Sequence, residues 1–308
     1  MVSEKVSVAV VGLTGALGQD MLKALVASPA VQRPIRAVTR DISAASKKQL
    51  PEGITLYEAS FDNAAAMKKA LDGVDTVIDL TAADLPSKPL VDVAVEAGVK
   101  LYLPSEYGCT FKDTKYPNTF KAKKETADYA RSRGLKTVQI QTGLFSEWNL
   151  TKPYLFGIIP EEKIYKKIED GNMRMTITFI EDVCRAVVEL IQLDPTEIPD
   201  ELFIEGDTIT PNELVELWEL YNKDKLTTIQ VTKEDIDKEA TEADSQPDGG
   251  GFEGFANVIL ATCSIGDIDH SRNNHNNLVN PGEKNFLWKK IEGKNVESYL
   301  TGKIPAPF

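Results

Sequence analysis

A short apolar run, Val8 to Val11, breaks at Gly12, meets further glycines at 15 and 18, and passes straight into an amphipathic segment. Few local structures accommodate VAVVGLTGALG. A strand that ends in a glycine turn and opens directly into a helix is the entrance to a βαβ unit that holds a dinucleotide. Gly12 permits the tight turn, Gly15 lets backbone N–H groups approach a pyrophosphate, and Gly18 lets the helix lie close to the strand. Thr14, Ala16 and Leu17 complete the loop, whose free N–H groups and positive helix end attract the phosphates.

Behind this turn, Met21, Leu22 and Leu25 give one apolar helix face. Strands are expected at Ile35–Thr39, Ile54–Tyr57, Thr76–Leu80, Lys100–Leu103 and Thr137–Thr142, with helices at Ala64–Leu71, Leu90–Ala97 and Ala122–Arg133 between them. Strands that alternate with helices across short polar links imply a parallel sheet covered on both faces. The fold class is therefore α/β, a Rossmann-type doubly wound sheet with a smaller α/β substrate domain. Residues 1–147 with a return segment at 177–195 form the first unit; 148–176 and 196–308 form the second. Beyond Trp148 the pattern changes, and Lys152–Ile168 carries two prolines and no clear period. Phe179–Leu193 is again an amphipathic helix, and Leu202–Ile204 a short strand. Thr210-Pro211-Asn212-Glu213 and the pair Thr232/Asp235 are helix starts. Asp237–Gly254, acidic and then glycine-rich, reads as a solvated loop, with a mobile lid as the alternative.

Composition removes several function classes. With 35 basic against 47 acidic residues the net charge is −12, which disfavours nucleic acid and anionic membranes as partners. No apolar run approaches the ~20 residues of a membrane span, and the first residues lack the basic and apolar regions of a signal peptide. Cys109, Cys184 and Cys263 are odd in number and far apart, which suits reduced thiols and a cytoplasmic location. His270 and His275 share no helical metal spacing with an acid, so no metal site is expected. Neither a G-x-x-x-x-G-K-[ST] loop nor a G-x-S-x-G elbow occurs.

In a doubly wound sheet, ligands bind at the carboxyl ends of the strands. The second strand ends in Thr39-Arg40, with Lys47 and Lys48 beyond, and a guanidinium there suits a 2′-phosphate. The cofactor is therefore read as NADP(H) in preference to NAD. Thr81 and Ala82 follow the fourth strand and leave room for the riboses. Ser105 and Glu106 follow the fifth, where they either reach the cofactor edge or close the turn. Gly143, Phe145 and Trp148 follow the last regular strand and, with Tyr107, are expected to border the substrate. Tyr154, Phe156 and Phe179 are further candidates for that pocket, or for the core.

The strand Leu101–Pro104 runs into Ser105-Glu106-Tyr107-Gly108, and Lys121 opens the next helix. Here the chain resembles the NmrA-like group of atypical short-chain dehydrogenases, which share the G-x-x-G-x-x-G spacing. More narrowly it resembles the isoflavone reductase-like branch, which includes pinoresinol–lariciresinol and phenylcoumaran benzylic ether reductases. GLTGALG at 12–18, Arg40, LPSEYG at 103–108, KAK at 121–123, TFIEDVCRAV at 178–187, GDTITPNELV at 206–215 and NVILATCSIGD at 257–267 carry the likeness, which spans nearly the whole chain. Gly143 stands where those enzymes often carry Asn.

The resemblance implies an NADPH-dependent reductase of an aromatic secondary metabolite, with Lys121 at the position of the catalytic lysine and also beside the cofactor. A lysine partly desolvated next to a cofactor can take a proton from a phenol. In this scheme a benzylic C–O bond opens to a quinone methide, which accepts hydride. The tyrosine of ordinary short-chain dehydrogenases is absent, because Pro117 lies four positions before Lys121. Tyr221/Lys225 and Tyr299/Lys303 match Y-x-x-x-K but lie far from the sheet edge. The competing reading is a non-catalytic regulator that senses dinucleotide, like NmrA itself. A homodimer is compatible with either.

Overall fold

The computed structural model describes residues 5–48, 50–82, 87–110, 115–246, 249–291 and 296–304. Its first half alternates as β1 (Val8–Val11), α1 (Ala16–Ala27), β2 (Ile35–Thr39), α2 (Ile42–Ser46), β3 (Ile54–Glu58), α3 (Ala64–Leu71), β4 (Thr76–Asp79), α4 (Lys88–Glu96), β5 (Leu101–Leu103), α5 (Lys121–Ser132) and β6 (Gln139–Gln141). The first five strands form a parallel sheet in the order β3-β2-β1-β4-β5. Every residue of β1 and β4 is buried, as continuous apolar strands between two helical layers should be. The pleat sends Val8 and Val10 into one core with Met21, Leu22 and Leu25 of α1. Ala9 and Val11 enter the opposite core with Met67, Leu71, Leu90 and Ala94 of α3 and α4. Parallel bridges from Tyr102 to Thr137 and from Gly108 to Gln141 attach β6 beyond β5.

The chain leaves β1 for β2 and β3 on one side, then crosses to β4 on the other. The carboxyl ends of β1 and β4 therefore face a crevice at the point where the winding reverses, the place such sheets offer a ligand.

The second half comprises β7 (Leu144–Phe145), α6 (Ser146–Thr151), β8 (Ile158–Ile159), β9 (Ile164–Ile168), β10 (Met175–Thr178), α7 (Ile180–Leu190), β11 (Glu201–Phe203), β12 (Asp207–Ile209), α8 (Pro211–Asn222), β13 (Thr227–Val231), α9 (Lys233–Asp244), α10 (Gly251–Ser264), α11 (Asn276–Val279) and α12 (Val296–Leu300). Helix α7 returns to the first half and packs its buried Val183, Val187 and Leu190 into the core that α1 shares. Strand β11 pairs in parallel with β6. Two small sheets, β12-β10-β7 and β13-β9-β8, and helices α8 to α10 surround a separate core. Among the described residues no helix is long and apolar enough to cross a membrane.

Three stretches differ from the sequence expectation. Asp237–Gly254 is not a loop: α9 runs to Asp244 and α10 opens at Gly251. The Thr232–Asp235 capping box starts α9, and Ile236, Ala240 and Ala243 form a buried stripe beneath its acidic face. The acidic composition marks only the solvent side of that helix. Lys152–Ile168 folds as a 3₁₀ turn at Pro153–Phe156 followed by the antiparallel pair β8–β9. Strand β13 is polar and largely exposed, so it lacks the apolar alternation that announces a strand.

His270 ties the segment after α10 to these sheets. It is 2% exposed; its backbone N–H donates to Thr176 Oγ at 2.9 Å and its Nδ1 lies 3.1 Å from the Ile204 carbonyl. Burial pushes its pKa below the ordinary value of 6.5. The neutral ring is the folded form, so stability is present above the unfolded pKa and is lost as pH falls below it. Urea titrations should therefore show a steeper acid loss for the parent than for His270→Asn below pH ~6.5; parallel pH curves would contradict this.

Candidate functional site

The glycine loop sits in the crevice. Gly12 has φ +87°, and a Cβ there would lie 2.7 Å from the Leu80 carbonyl carbon and 2.8 Å from the Thr81 nitrogen. The turn thus presses against the end of β4. At Gly18 a Cβ would overlap the Leu13 carbonyl, so this glycine sets how closely α1 meets the strand. Gly15 is different: its nearest would-be contacts are at an ordinary 3.7 Å, and the position is exposed. The fold does not demand glycine there, whereas a diphosphate close to the backbone would. Gly15 is also the N-cap of α1, and no side chain among the described residues caps the helix, whose first turn has no acid. Ala16 opens α1 through its backbone, and buried Leu17 belongs to the core.

Cations frame this loop. Arg40 is exposed at the end of β2, and Lys48 reaches back to donate to the Thr14 carbonyl at 2.8 Å. Asp41, which could have repelled an anion, instead caps α2: it accepts from Ser43 Oγ at 2.7 Å and the Ala44 N–H at 3.0 Å. These bonds, Ser43 foremost, hold its carboxyl below the usual carboxylate range.

The ends of β4 and β5 are locked together. Buried Asp79 accepts from Tyr102 Oη at 2.8 Å and from the N–H and Oγ of Thr81 at 2.9 and 2.7 Å. Burial, then the Asp79 charge, pushes the Tyr102 hydroxyl well up, so it remains a donor. Ser105 Oγ donates to the Thr81 carbonyl at 2.7 Å. Ser105 therefore closes the turn, and with Thr81 and Ala82 it lines a small nook. Glu106 turns inward from the same turn.

Helix α5 delivers a lysine to that nook, but not Lys121. The Lys121 side chain is 66% exposed and lies 3.8 Å from Glu125 Oε1. Lys124 likewise faces solvent and pairs with Asp128 at 3.1 Å. Lys123 is half-buried, lines the nook, and donates from Nζ to the Glu106 carbonyl at 3.1 Å. Two positions along a helix are about 200° apart, so Lys121 and Lys123 occupy opposite faces. The clue lies in the sequence: Ala127 and Ala130 are buried, and counting back four and seven positions reaches Lys123. The start of α5 is held from a distance by Asp244 of α9, which accepts from the Thr119 N–H at 2.7 Å and Thr119 Oγ at 2.6 Å.

Phe145 and Trp148 meet in a cleft of about 1050 Å³ together with Tyr154, Ile159, Phe252 and Leu260. The Phe252 ring lies 6.0 Å from Trp148 and 5.6 Å from Tyr154. The other candidates fall elsewhere. Tyr107 is a core residue, because the turn after β5 directs it into the apolar layer beneath α1 and α7. Gly143 is a buried turn residue with φ +65° whose Cβ would overlap the Thr176 carbonyl, so packing alone accounts for it. Phe156 is core, and Phe179 lines a different cleft with Tyr299. Lys225 and Lys303, the ends of the two Y-x-x-x-K matches, pair with Glu219 and Glu297. Among the described residues no group of three metal-ligating side chains occurs.

A profile of the NmrA-like family matches residues 4–246. The chain belongs to the NmrA-like family. Among its relatives are a probable pinoresinol-lariciresinol reductase of Arabidopsis thaliana, 28% identical over 78% of this chain and 81% of that protein. Phenylcoumaran benzylic ether reductase IRL1 of Ginkgo biloba is 25% identical over 96% and 98% of the two chains. The structure of AtPrR2 with NADP+ and (+)pinoresinol superposes with a TM-score of 0.75 at 21% identity, covering 98% of this chain and all (100%) of that one. The binary complex of leucoanthocyanidin reductase and NADPH from Vitis vinifera gives 0.71 at 20% identity, over 96% and 99%. These neighbours share the Rossmann-type fold.

The two outer glycines and the middle one should separate by experiment. Gly18→Ala should cost roughly 1–3 kcal/mol of stability through overpacking. Gly15→Ala should leave the thermal midpoint nearly unchanged while weakening dinucleotide binding in a calorimetric titration. Equal thermal losses for both would contradict the distinction.

Proposed function

We propose that this chain is an NADPH-dependent reductase of a small aromatic molecule and that Lys123 handles the proton. The observation that carries the reading is the inward turn of Lys123 at the ends of β4 and β5, in a nook that Thr81, the residue Gly12 abuts, also lines. The cradle fits the cofactor: Gly15 is open, no side chain among the described residues caps α1, and exposed Arg40 after β2 and Lys48 at the Thr14 carbonyl bring positive charge that suits a 2′-phosphate. When bound, NADPH supplies the hydride.

The protein's own groups do the rest. Backbone N–H groups of the loop and the start of α1 take the diphosphate. Thr81, Ala82 and Ser105 border the nook. Lys123 takes a proton from an acidic hydroxyl of the substrate or returns one to a developing oxyanion. The cleft of Phe145, Trp148, Tyr154 and Phe252, with Lys152, Glu162, Lys166 and Glu253 also on its walls, favours a flat aromatic ligand that carries polar groups at its edge. A purely regulatory sensor of dinucleotide would leave both the inward lysine and this cleft without a task. The relatives that bear reductase names support the enzymatic reading.

The test follows NADPH oxidation with (+)-pinoresinol and related lignans. Lys123→Met should lower kcat by about 10²-fold or more while the Kd for NADPH changes little; Lys121→Met should stay within about twofold. The reverse ranking would contradict the assignment. Arg40→Ala should raise the Kd for NADPH about tenfold or more, as loss of a charge-assisted bond requires, and leave that for NADH nearly unmoved. Equal losses for the two cofactors would place Arg40 elsewhere.

A further inference from the structure

A hydride alone does not complete a reduction. Converting a neutral acceptor to a neutral product with one hydride also consumes one proton, which must come from solvent. Substrate and dinucleotide fill the space around the reacting edge when both are bound, so a separate way in for that proton has chemical value.

The structure contains a suitable wall. The nook at the ends of β4 and β5 is lined by Asp79, Thr81 and Ser105, and Glu106 and Lys123 close its far side. The same two residues also line a second, outer cleft of about 490 Å³, with Asp128 and Arg131 of α5, Gln139 of β6, and Asp200 and Glu201 at β11. Asp128 and Asp200 are largely exposed, so the outer cleft is wet. Glu106 itself is only 2% exposed, and its Oε1 has no hydrogen-bond partner among the described residues. A buried carboxyl left with an unsatisfied oxygen is costly, and such groups call for a reason. Burial pushes the Glu106 carboxyl above its ordinary value of 4.5, against the opposing pull of the Lys123 charge, Gln139 and Arg131, while Glu201 adds to the rise.

We propose that Glu106 is a proton-exchange residue that acts through Lys123, recharging its amine from the outer cleft so that each proton consumed enters by that side. The inference rests on the reductase reading. Lys123 Nζ bonds the Glu106 carbonyl and not its carboxyl, so in the step the O–H bond of the carboxyl breaks as one forms on a water of the outer cleft, and that water gives up a proton as an N–H bond forms on Lys123 Nζ. An N–H bond of that ammonium then breaks as the O–H bond of the product forms. Water in the outer cleft reprotonates the carboxylate, and one proton passes for each hydride consumed. A carboxyl whose proton is held more tightly than an ordinary glutamate's is suited to this exchange.

Infrared titration of the full chain tests the pair without turnover. A protonated-carboxyl band, assigned by its loss in Glu106→Gln, should titrate above the ordinary glutamate range. In Lys123→Met its midpoint should move up by about one pH unit or more, since an opposing charge is removed. A band that is absent, or that ignores Lys123→Met, would overturn the coupling. Kinetics with NADPH and (+)-pinoresinol test the exchange itself. Glu106→Gln keeps the side-chain shape, so the Kd for NADPH should hold within about twofold while kcat falls by about 10²-fold. Added formate or imidazole should restore part of the rate in Glu106→Gln and none in Lys123→Met. Parental turnover with an unaltered pH profile in Glu106→Gln would refute the relay. Parent protein that binds NADPH yet never oxidises it would instead unseat the reductase reading, and the infrared result would still decide whether the two groups share a proton.

Discussion

Everything at the crevice depends on backbone meeting backbone where β1 and β4 part. Gly12 abuts the Leu80–Thr81 peptide, and Gly18 abuts Leu13. These two contacts fix the entry of α1, and hence where its uncapped N–H groups and positive end point. A methyl group at either place would push helix or turn outward, and the donor set would no longer face one point. The hydrogen bonds from Tyr102 and Thr81 to Asp79 then hold the neighbouring strand end against that turn. The crevice is rigid because its walls are main chain and buried side chains, with little dependence on exposed groups.

The second condition is the rotation of α5. Three lysines lie within four residues, and helical geometry allows only one of them to join the buried stripe of Thr126, Ala127 and Ala130. Asp244 holds the start of that helix by accepting from Thr119, so a helix of the second half orients a side chain of the first. Loss of such a charge-assisted hydrogen bond costs about 1.5–3 kcal/mol, enough to let the start of the helix shift. The acidic stretch that looks like a loop in sequence is thus part of the positioning apparatus.

Much of the fold was legible in the chain. The apolar strands, the glycine loop and the alternating helices follow from periodicity because a parallel sheet buries both faces, and boundaries moved by only a residue or two. The second half was less readable. Strand β13 is polar and at an edge, α9 hides a narrow apolar stripe under acidic residues, and β8–β9 are short. At the site, the cradle residues could be named from spacing, since main-chain requirements single out glycine. Lys121 was named from the family resemblance, which points to a lysine at the start of this helix but says nothing of azimuth; the spacing to Ala127 and Ala130, which pack inward, singles out Lys123. Tyr107 and Gly143 were drawn to the pocket by their place after strand ends, where packing in fact claims them.

The central claim is that the amine of Lys123, and not that of Lys121, stands at the reacting edge. A crystal structure of the full chain with NADP+ measures this directly. The account predicts that Lys123 Nζ lies within hydrogen-bond reach of the nicotinamide ribose, or one water from the ring, with Lys121 still in solvent. An NADP+ complex in which Lys123 points away from the ring, with Lys121 or no lysine beside it, would contradict the account.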